Sequence, residues 1–512
     1  MLFMANGENN MTGAGSGSNA SKIVGLVLLL SFVLFVCVVL WKLELSLTFA
    51  FLVPVAIFCV LIFVRAPKTY AIILFSLFYL FTGIGRYFPS VKIGIIFDGG
   101  LVLFIFLLFF ATLFGKIVWK NSMNGASLLT LIWMIYCFFE LFNPRVVSTS
   151  AWLVAVRWTA IYYFVVVFFT PLVINQTKDV KHFVYVWAVL TVFAVLWILK
   201  QKYIGLDKYE SIWLADPIIS NTHVLPFGIR YWSLFTDAAN AAACLALSSA
   251  FFGILMFFTD NKKGKILFAF VAILSLWGSL FTGTRSHLVI SFCALLVLIL
   301  CARNKKLVFG SVIVIVALIA FFRGTNIGDS NRYIWRARSA FFFNQDASYL
   351  VRQKNHARIK AYMADKPFGI GLGLAEWKAK RFVSTSAMGE VNTDSWIYTL
   401  YVETGIVGVL LYVAIYLYFI IYGMWISLFK LKTKFVRGIA IASTGGIAGM
   451  LVASYGNEIL AQFPNGIIVF VLIALIFVCP NLDKNCIGEY KVEDKGQDDI
   501  KCDSVDGTKG SY

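Results

Sequence analysis

Long apolar runs separated by short polar connections make up most of this chain. Runs near the length of a helix that crosses the bilayer core, about 20 residues, lie at 23–40, 45–64, 70–84, 101–118, 126–142, 152–174, 183–199, 238–258, 266–281, 287–301, 307–322, 406–429, 438–455 and 466–480. The pattern predicts an all-α polytopic integral membrane protein with about 12–14 transmembrane helices. The first pair and the Gly-interrupted stretch 83–99 suit re-entrant or tilted elements.

Two connections break the rhythm. One is 200–237; the other, 323–395, interleaves Arg with aromatic residues (NRYIWRARSAFFF) and carries a GIGLG turn. A polar stretch of that length reads as a lid or binding loop, and RIKAYMADKP within it suits a helix on the membrane surface. The expected organisation is a disordered cytoplasmic tail (1–22), an N-terminal helical bundle (23–322), a periplasmic loop (323–395), C-terminal spans (396–482) and a cytoplasmic tail (483–512). The N-terminal segment is Gly/Ser/Asn-rich without a basic n-region, so it reads as a tail rather than a cleaved signal.

Composition agrees, with 60% hydrophobic and only 14% charged residues and a mean hydropathy of +0.82. Soluble chains carry roughly a quarter charged residues. The net charge of +18 reads as an orientation signal rather than as nucleic-acid binding: Arg65, Lys68, Lys116, Lys120, Lys178, Lys181, Lys262, Lys263, Lys265, Arg303, Lys305, Lys306, Lys430, Lys432, Lys434 and Arg437 fall in alternate short loops, which the positive-inside rule places in the cytoplasm. Both termini are then cytoplasmic, and 200–237, 282–286 and 323–395 share the external face. The nine cysteines form no CxxC pair, so neither a disulfide framework nor a metal site is expected.

Candidate chemistry gathers at that face. Arg157 lies inside an apolar run, where a guanidinium faces a polar cavity or snorkels to the interface. Arg230 precedes Asp237 and Asn240 at a helix entrance where capping is natural. Arg285 sits in a Gly-Thr-Arg-Ser turn before a helix, a setting that suits a phosphate; His287 beside it is either a packed helix residue or a base. Asp394 and Glu403, in NTDSWIYTLYVETGIVG, are carboxylates at an apolar boundary. Either one suits a base, while an N-cap and an arginine partner are their structural alternatives.

These segments resemble the O-antigen ligase and polymerase family of bacterial envelope glycosyltransferases. The resemblance rests on FELFNP followed by VAVRW, on RYWSLFTDAAN, on TGTRS, and on SYLVRQKNHARIKAYMADKPFGIGLGL leading to TDSWIYTLYVETGIVG, spread over about residues 137–412. It implies a fold of the C-type glycosyltransferase kind with a periplasmic lid, an inner-membrane location, an undecaprenyl-diphosphate-linked glycan as donor, a glycan acceptor, surrounding membrane lipids, and other envelope polysaccharide assembly proteins as partners. No cofactor is implied. Arg230 and Arg285 match arginines that hold the diphosphate, and Arg157 and Arg352 match basic positions of the polymerases. One departure stands out: where the lipid A-core ligases have a histidine, this chain has Asp394.

The implied chemistry is single displacement with inversion. Arginines stabilise the departing diphosphate without a metal, and Asp394 or Glu403 accepts the proton of the acceptor hydroxyl. A polymerase is expected, with a ligase to lipid A-core or protein as the alternative. A flippase or transporter is a further alternative, disfavoured because the notable residues cluster at one face instead of lining a path through the membrane.

Overall fold

A computed structural model of the chain describes residues 66–87, 93–115, 117–225, 228–285, 287–330, 332–339, 347–383, 388–460 and 462–493. The expected tail 1–22, the spans 23–40 and 45–64, and the end of the chain from 494 lie outside them. Among the described residues, ten helices are long and apolar enough to cross a membrane, and Pro67–Leu80 and His287–Cys301 are shorter apolar helices. Each coincides with an expected run, and the protein is a polytopic all-α membrane protein.

Two compact units form. The described residues of the first are 66–73, 98–115 and 117–118; in it the Tyr70 hydroxyl donates to the Gly100 carbonyl at 3.0 Å and the Tyr70 ring stacks on Phe104. Helices α1 (Pro67–Ile84) and α2 (Ile93–Leu113) each contribute to both units. The second unit holds the rest: α3 (Gly125–Phe139), α4 (Thr149–Val156), α5 (Tyr162–Val173), α6 (Thr177–Leu199), the short α7 (Lys208–Leu214) and α8 (Pro217–His223), α9 (Ala238–Leu255), α10 (Lys262–Leu280), α11 (His287–Cys301), α12 (Lys305–Gly324), α13 (Arg332–Ser339), α14 (Ala347–Met363), α15 (Glu376–Lys380), α16 (Trp396–Phe429), α17 (Lys434–Ala453) and α18 (Asn465–Glu493). Strands Val224–Leu225 and Gly228–Ile229 pair as a small antiparallel ladder.

Small residues decide the centre of this unit. In lipid, helices gain little from burying apolar surface and associate through close backbone approach. A Cβ at Gly445 or Gly449 of α17 would stand 3.0 Å or 2.7 Å from the Cα of Ala294 or Ile290 in α11, so the GGIAG stretch lets these two helices touch along their backbones. The α12 helix, by contrast, exposes most of its apolar side chains, as a lipid-facing helix does.

Alternate helix ends define two poles. At one, Arg303 donates to the Leu428 carbonyl, Lys434 pairs with Asp260, and buried Asp483 accepts the Lys432 and Thr433 amides at 3.1 Å and 2.7 Å. At the other, the starts of α9, α11, α16 and α18 meet the ends of α10 and α17. The segments 200–237, 281–286, 325–395 and 454–464 lie at this second pole.

Two boundaries differ from the sequence pattern. Helical structure begins at Trp396, ten residues before the apolar run, because TLYVETG is polar enough to hide a helical segment that runs up to the break at Gly405, after which the helix resumes along the apolar run. The α18 helix runs on to Glu493 past Pro480, taking in residues expected to be tail. Within 323–395 the described residues form α13, α14 and α15, where the sequence predicts surface helix.

Candidate functional site

The TGTRS turn is the anchor of the second pole. Gly283 adopts φ +60°, a left-handed conformation that glycine takes without a Cβ penalty. Two arginines from distant segments clamp the turn. Arg230 donates from Nε to the Thr282 carbonyl at 3.1 Å and from a terminal nitrogen to the Thr284 hydroxyl at 2.7 Å; Arg336 of α13 donates to the Gly283 carbonyl. Arg230 also donates to the Thr222 carbonyl at 2.9 Å. Arg230 thus braces the turn that carries Arg285.

Four guanidinium groups are joined by electrostatic reach: Arg336 to Arg230 and Arg285, Arg230 to Arg285, and Arg285 to Arg352. Burial pushes Arg230 down, and Arg285 adds to the effect against the opposing pull of Asp237. Arg285 is likewise lowered by burial and by Arg352, and Arg336 is pushed down to about 9 by burial, Arg230 and Arg285. The Nε of Arg352 is buried with no hydrogen-bond partner among the described residues, and Arg352 faces Gly456 after α17. Gathering like charges in a partly desolvated corner is costly, and a multivalent anion relieves that cost. The sequence alone did not single out Arg336, whose signal was its place in the Arg/aromatic stretch.

Beside the arginines lies the Thr393–Asp394 corner. Ser395 caps α16 by accepting the Tyr398 amide, and the Trp396 amide donates to the Ser454 carbonyl at 2.9 Å, pinning this start to the end of α17. Asp394, at φ +48°, projects from the corner as an exposed residue. Buried Glu376 of α15 accepts from the Thr393 amide at 2.8 Å and from its hydroxyl. The Thr393 hydroxyl also meets that of Thr399 at 2.7 Å, and Thr399 donates to Glu458. From α14, Asn355 donates to the Asn392 carbonyl at 3.1 Å and His356 Nε2 contacts the Thr393 carbonyl at 2.9 Å. The α14 helix thus grips the two residues that precede Asp394.

The GIGLG turn fixes the lid to a break in α16. Gly405, at φ +67°, interrupts the helix; there the Ile370 and Gly371 amides donate to the Val402 and Glu403 carbonyls at 2.9 Å and 3.0 Å, and the Val407 amide donates to the Pro367 carbonyl. Buried Glu403 accepts the Gly373 amide through Oε1 at 3.0 Å. Ile359, Met363, Ile370, Leu374, Val391 and Tyr398 close an apolar cluster beneath. Glu403 is therefore placed where its carboxylate holds the lid.

The other expected residues fall as follows. Asp237 is the N-cap of α9, accepting the Ala239 and Asn240 amides at 2.7 Å and 2.9 Å. Fully buried Asn240 donates to Thr236 and to the Phe463 carbonyl, joining α9 to the start of α18. His287 is buried, with Nδ1 on the Thr284 carbonyl, in the position of a packed helix residue. Arg157 opens a π-helical turn, Arg157–Ile161, between α4 and α5; such turns mark many functional sites, and here the Thr159 carbonyl accepts Trp133 Nε1 at 2.9 Å. Sequence reasoning also passed over Arg86, whose guanidinium lies 4.2 Å over the Trp213 ring and donates to the Phe235 and Thr236 carbonyls. That contact ties the end of α1 to the 200–237 segment.

Helices of membrane-spanning length, with the arginine cluster of Arg230, Arg285, Arg336 and Arg352 at one pole, define a multi-pass membrane protein. Within that class, residues 270–413 match the O-Antigen ligase family model, a match that supports the O-antigen ligase/polymerase family, whose members are glycosyltransferase-like enzymes acting on lipid-linked glycans. The matched stretch carries Arg285, His287, Arg336, Arg352, Asp394 and Glu403, whereas Arg157, Arg230, Asp237 and Asn240 precede it. No curated protein matches the chain.

Proposed function

We propose that the protein polymerises oligosaccharide repeat units carried on undecaprenyl diphosphate, at the periplasmic face of the bacterial inner membrane. The observation that carries this reading is the continuity of the site. Arg230 braces the turn of Arg285; Arg285 is within electrostatic reach of Arg352; and both Arg352 and Asp394 act on His356. A cationic corner for a leaving diphosphate thus adjoins a corner fit to receive a hydroxyl. Arg285, Arg352 and Arg336 bind the diphosphate and stabilise its growing charge, a role in which preorganised guanidiniums in reduced dielectric are effective without a metal ion. Arg230 and Asp237 hold the turn and the α9 entrance. His287 and Asn240 support the packing. The acceptor hydroxyl attacks the anomeric carbon in line, the sugar–diphosphate bond breaks, and configuration inverts.

The runner-up is a ligase that transfers finished glycan to lipid A-core or protein; Asp394 at the position of the ligase histidine favours the polymerase. The deciding experiment is deletion of the gene followed by gel analysis of surface glycan. Loss of long chains with single-unit capping retained is the polymerase outcome, and loss of all capping is the ligase outcome.

The orientation follows from the basic loops at the first pole. A cysteine at exposed Glu390 should react with a membrane-impermeant thiol reagent on intact spheroplasts, and one at exposed Lys432 should react only after permeabilisation. The reverse pattern would put the site in the cytoplasm and remove the proposed reaction.

A further inference from the structure

One side chain lies within electrostatic reach of both Arg352 and Asp394. His356 is buried on α14, its ring stacked on Tyr398 at 3.5 Å with an interplanar angle of 10° and edge-on to Tyr455 at 5.8 Å. A carbonyl only accepts, so the 2.9 Å contact of Nε2 with the Thr393 carbonyl puts the ring hydrogen on Nε2. In the neutral ring Nδ1 then keeps its lone pair. The tautomer and the ring plane are thus set by groups that do not themselves react, which is the arrangement a general base needs.

The charges around the ring fit the same role. Burial holds its pKa below the ordinary histidine range; the Thr393 carbonyl and Asp394 pull it up, while Arg352 and Lys360 push it down. The ring is therefore neutral near pH 7, and the Asp394 carboxylate favours the imidazolium once a proton arrives. A carboxylate is in general a weaker base for a sugar hydroxyl than a neutral imidazole.

We infer that His356 is the catalytic base of the transfer reaction, taking the acceptor's proton on Nδ1 while Asp394 steadies the imidazolium. The inference rests on the function proposed above. In the step, the acceptor O–H bond breaks as its oxygen bonds the anomeric carbon, the sugar–diphosphate bond breaks with its electron pair leaving on the diphosphate, and the proton resides on Nδ1.

The test uses the full-length protein in proteoliposomes, supplied with the lipid-linked glycan extracted from membranes of the gene-deletion strain. Chain extension is followed against pH. For the wild type, activity should fall on the acid side as His356 takes a proton. His356→Gln keeps an amide donor for the Thr393 carbonyl but has no basic nitrogen, so it should reduce extension by about 100-fold or more at unchanged abundance and donor KM. Asp394→Asn should keep measurable activity, and its acid limb should move to lower pH because an influence that raises the His356 pKa is gone. A His356→Gln protein extending within about threefold of wild type would overturn the inference, as would an Asp394→Asn protein whose acid limb is unmoved or that has lost all activity. Should His356→Gln fail to accumulate, the Asp394→Asn profile decides by the same criterion. Absence of extension by the wild type overturns the proposed function and this inference together, whereas extension with His356→Gln unimpaired overturns this inference alone.

Discussion

Replacing Arg285 by lysine should lower glycan transfer by about 10²- to 10³-fold while the protein still accumulates in the membrane. The magnitude is that of losing one preorganised donor aimed at developing charge. Lysine keeps the charge but presents a point ammonium on a flexible stem, not a planar fork that grips a phosphate through two bonds. The turn itself should survive, because its geometry is held by Arg230 on Thr282 and Thr284 and by Arg336 on Gly283. Initial rates of extension in proteoliposomes, normalised to protein recovered, measure the effect. Near-normal rates with Arg285→Lys would remove this side chain from the diphosphate site.

Gly405→Ala should prevent the folded protein from accumulating. A Cβ at Gly405 would fall 2.0 Å from the Pro367 carbonyl oxygen, at φ +67°, and across the junction a Cβ at Gly369 would fall 2.3 Å from the Glu403 carbonyl oxygen. Both obstacles are backbone and cannot rotate away. A left-handed alanine costs about 1–2 kcal/mol by itself, and parting the two segments also breaks the hydrogen bonds from Ile370, Gly371 and Val407, so a total above about 4 kcal/mol is expected. Gly310→Ala, in a helix where a Cβ meets nothing within 4 Å, is the control and should be tolerated. Size-exclusion profiles and thermal unfolding in detergent read both variants. A Gly405→Ala protein as abundant and stable as wild type would show that the lid does not depend on this junction.

The spans were legible in the sequence because length and hydropathy act locally: lipid offers no partner for backbone polar groups, so a run of about 20 apolar residues has one inexpensive conformation. Every expected run within the described residues is a helix. The Gly-Thr-Arg-Ser turn was legible for a similar reason, since its interruption of an apolar pair is a local signal. Asp237 announced itself as a cap by its place before an apolar helix, and it is one.

Other features depend on neighbours that lie far away in sequence. The α16 helix starts at Trp396 because the Ser454 carbonyl receives its first amide, a contact 58 residues distant in sequence. The conformation of Gly405 is set by Pro367 and Gly369, and buried Glu403 finds its partner at Gly373. Arg336 and His356 carry no local mark: one is an arginine among several in a basic stretch, the other a lone histidine in a polar helix. Their importance arises only when α13 and α14 fold against the 282–286 turn and the Thr393–Asp394 corner. Apolar run length thus determined, from the sequence alone, that the chain spans a membrane many times. Tertiary structure decided which side chains share a site, because hydrogen bonds and charge coupling depend on distance in space, and the helices bring together residues tens of positions apart.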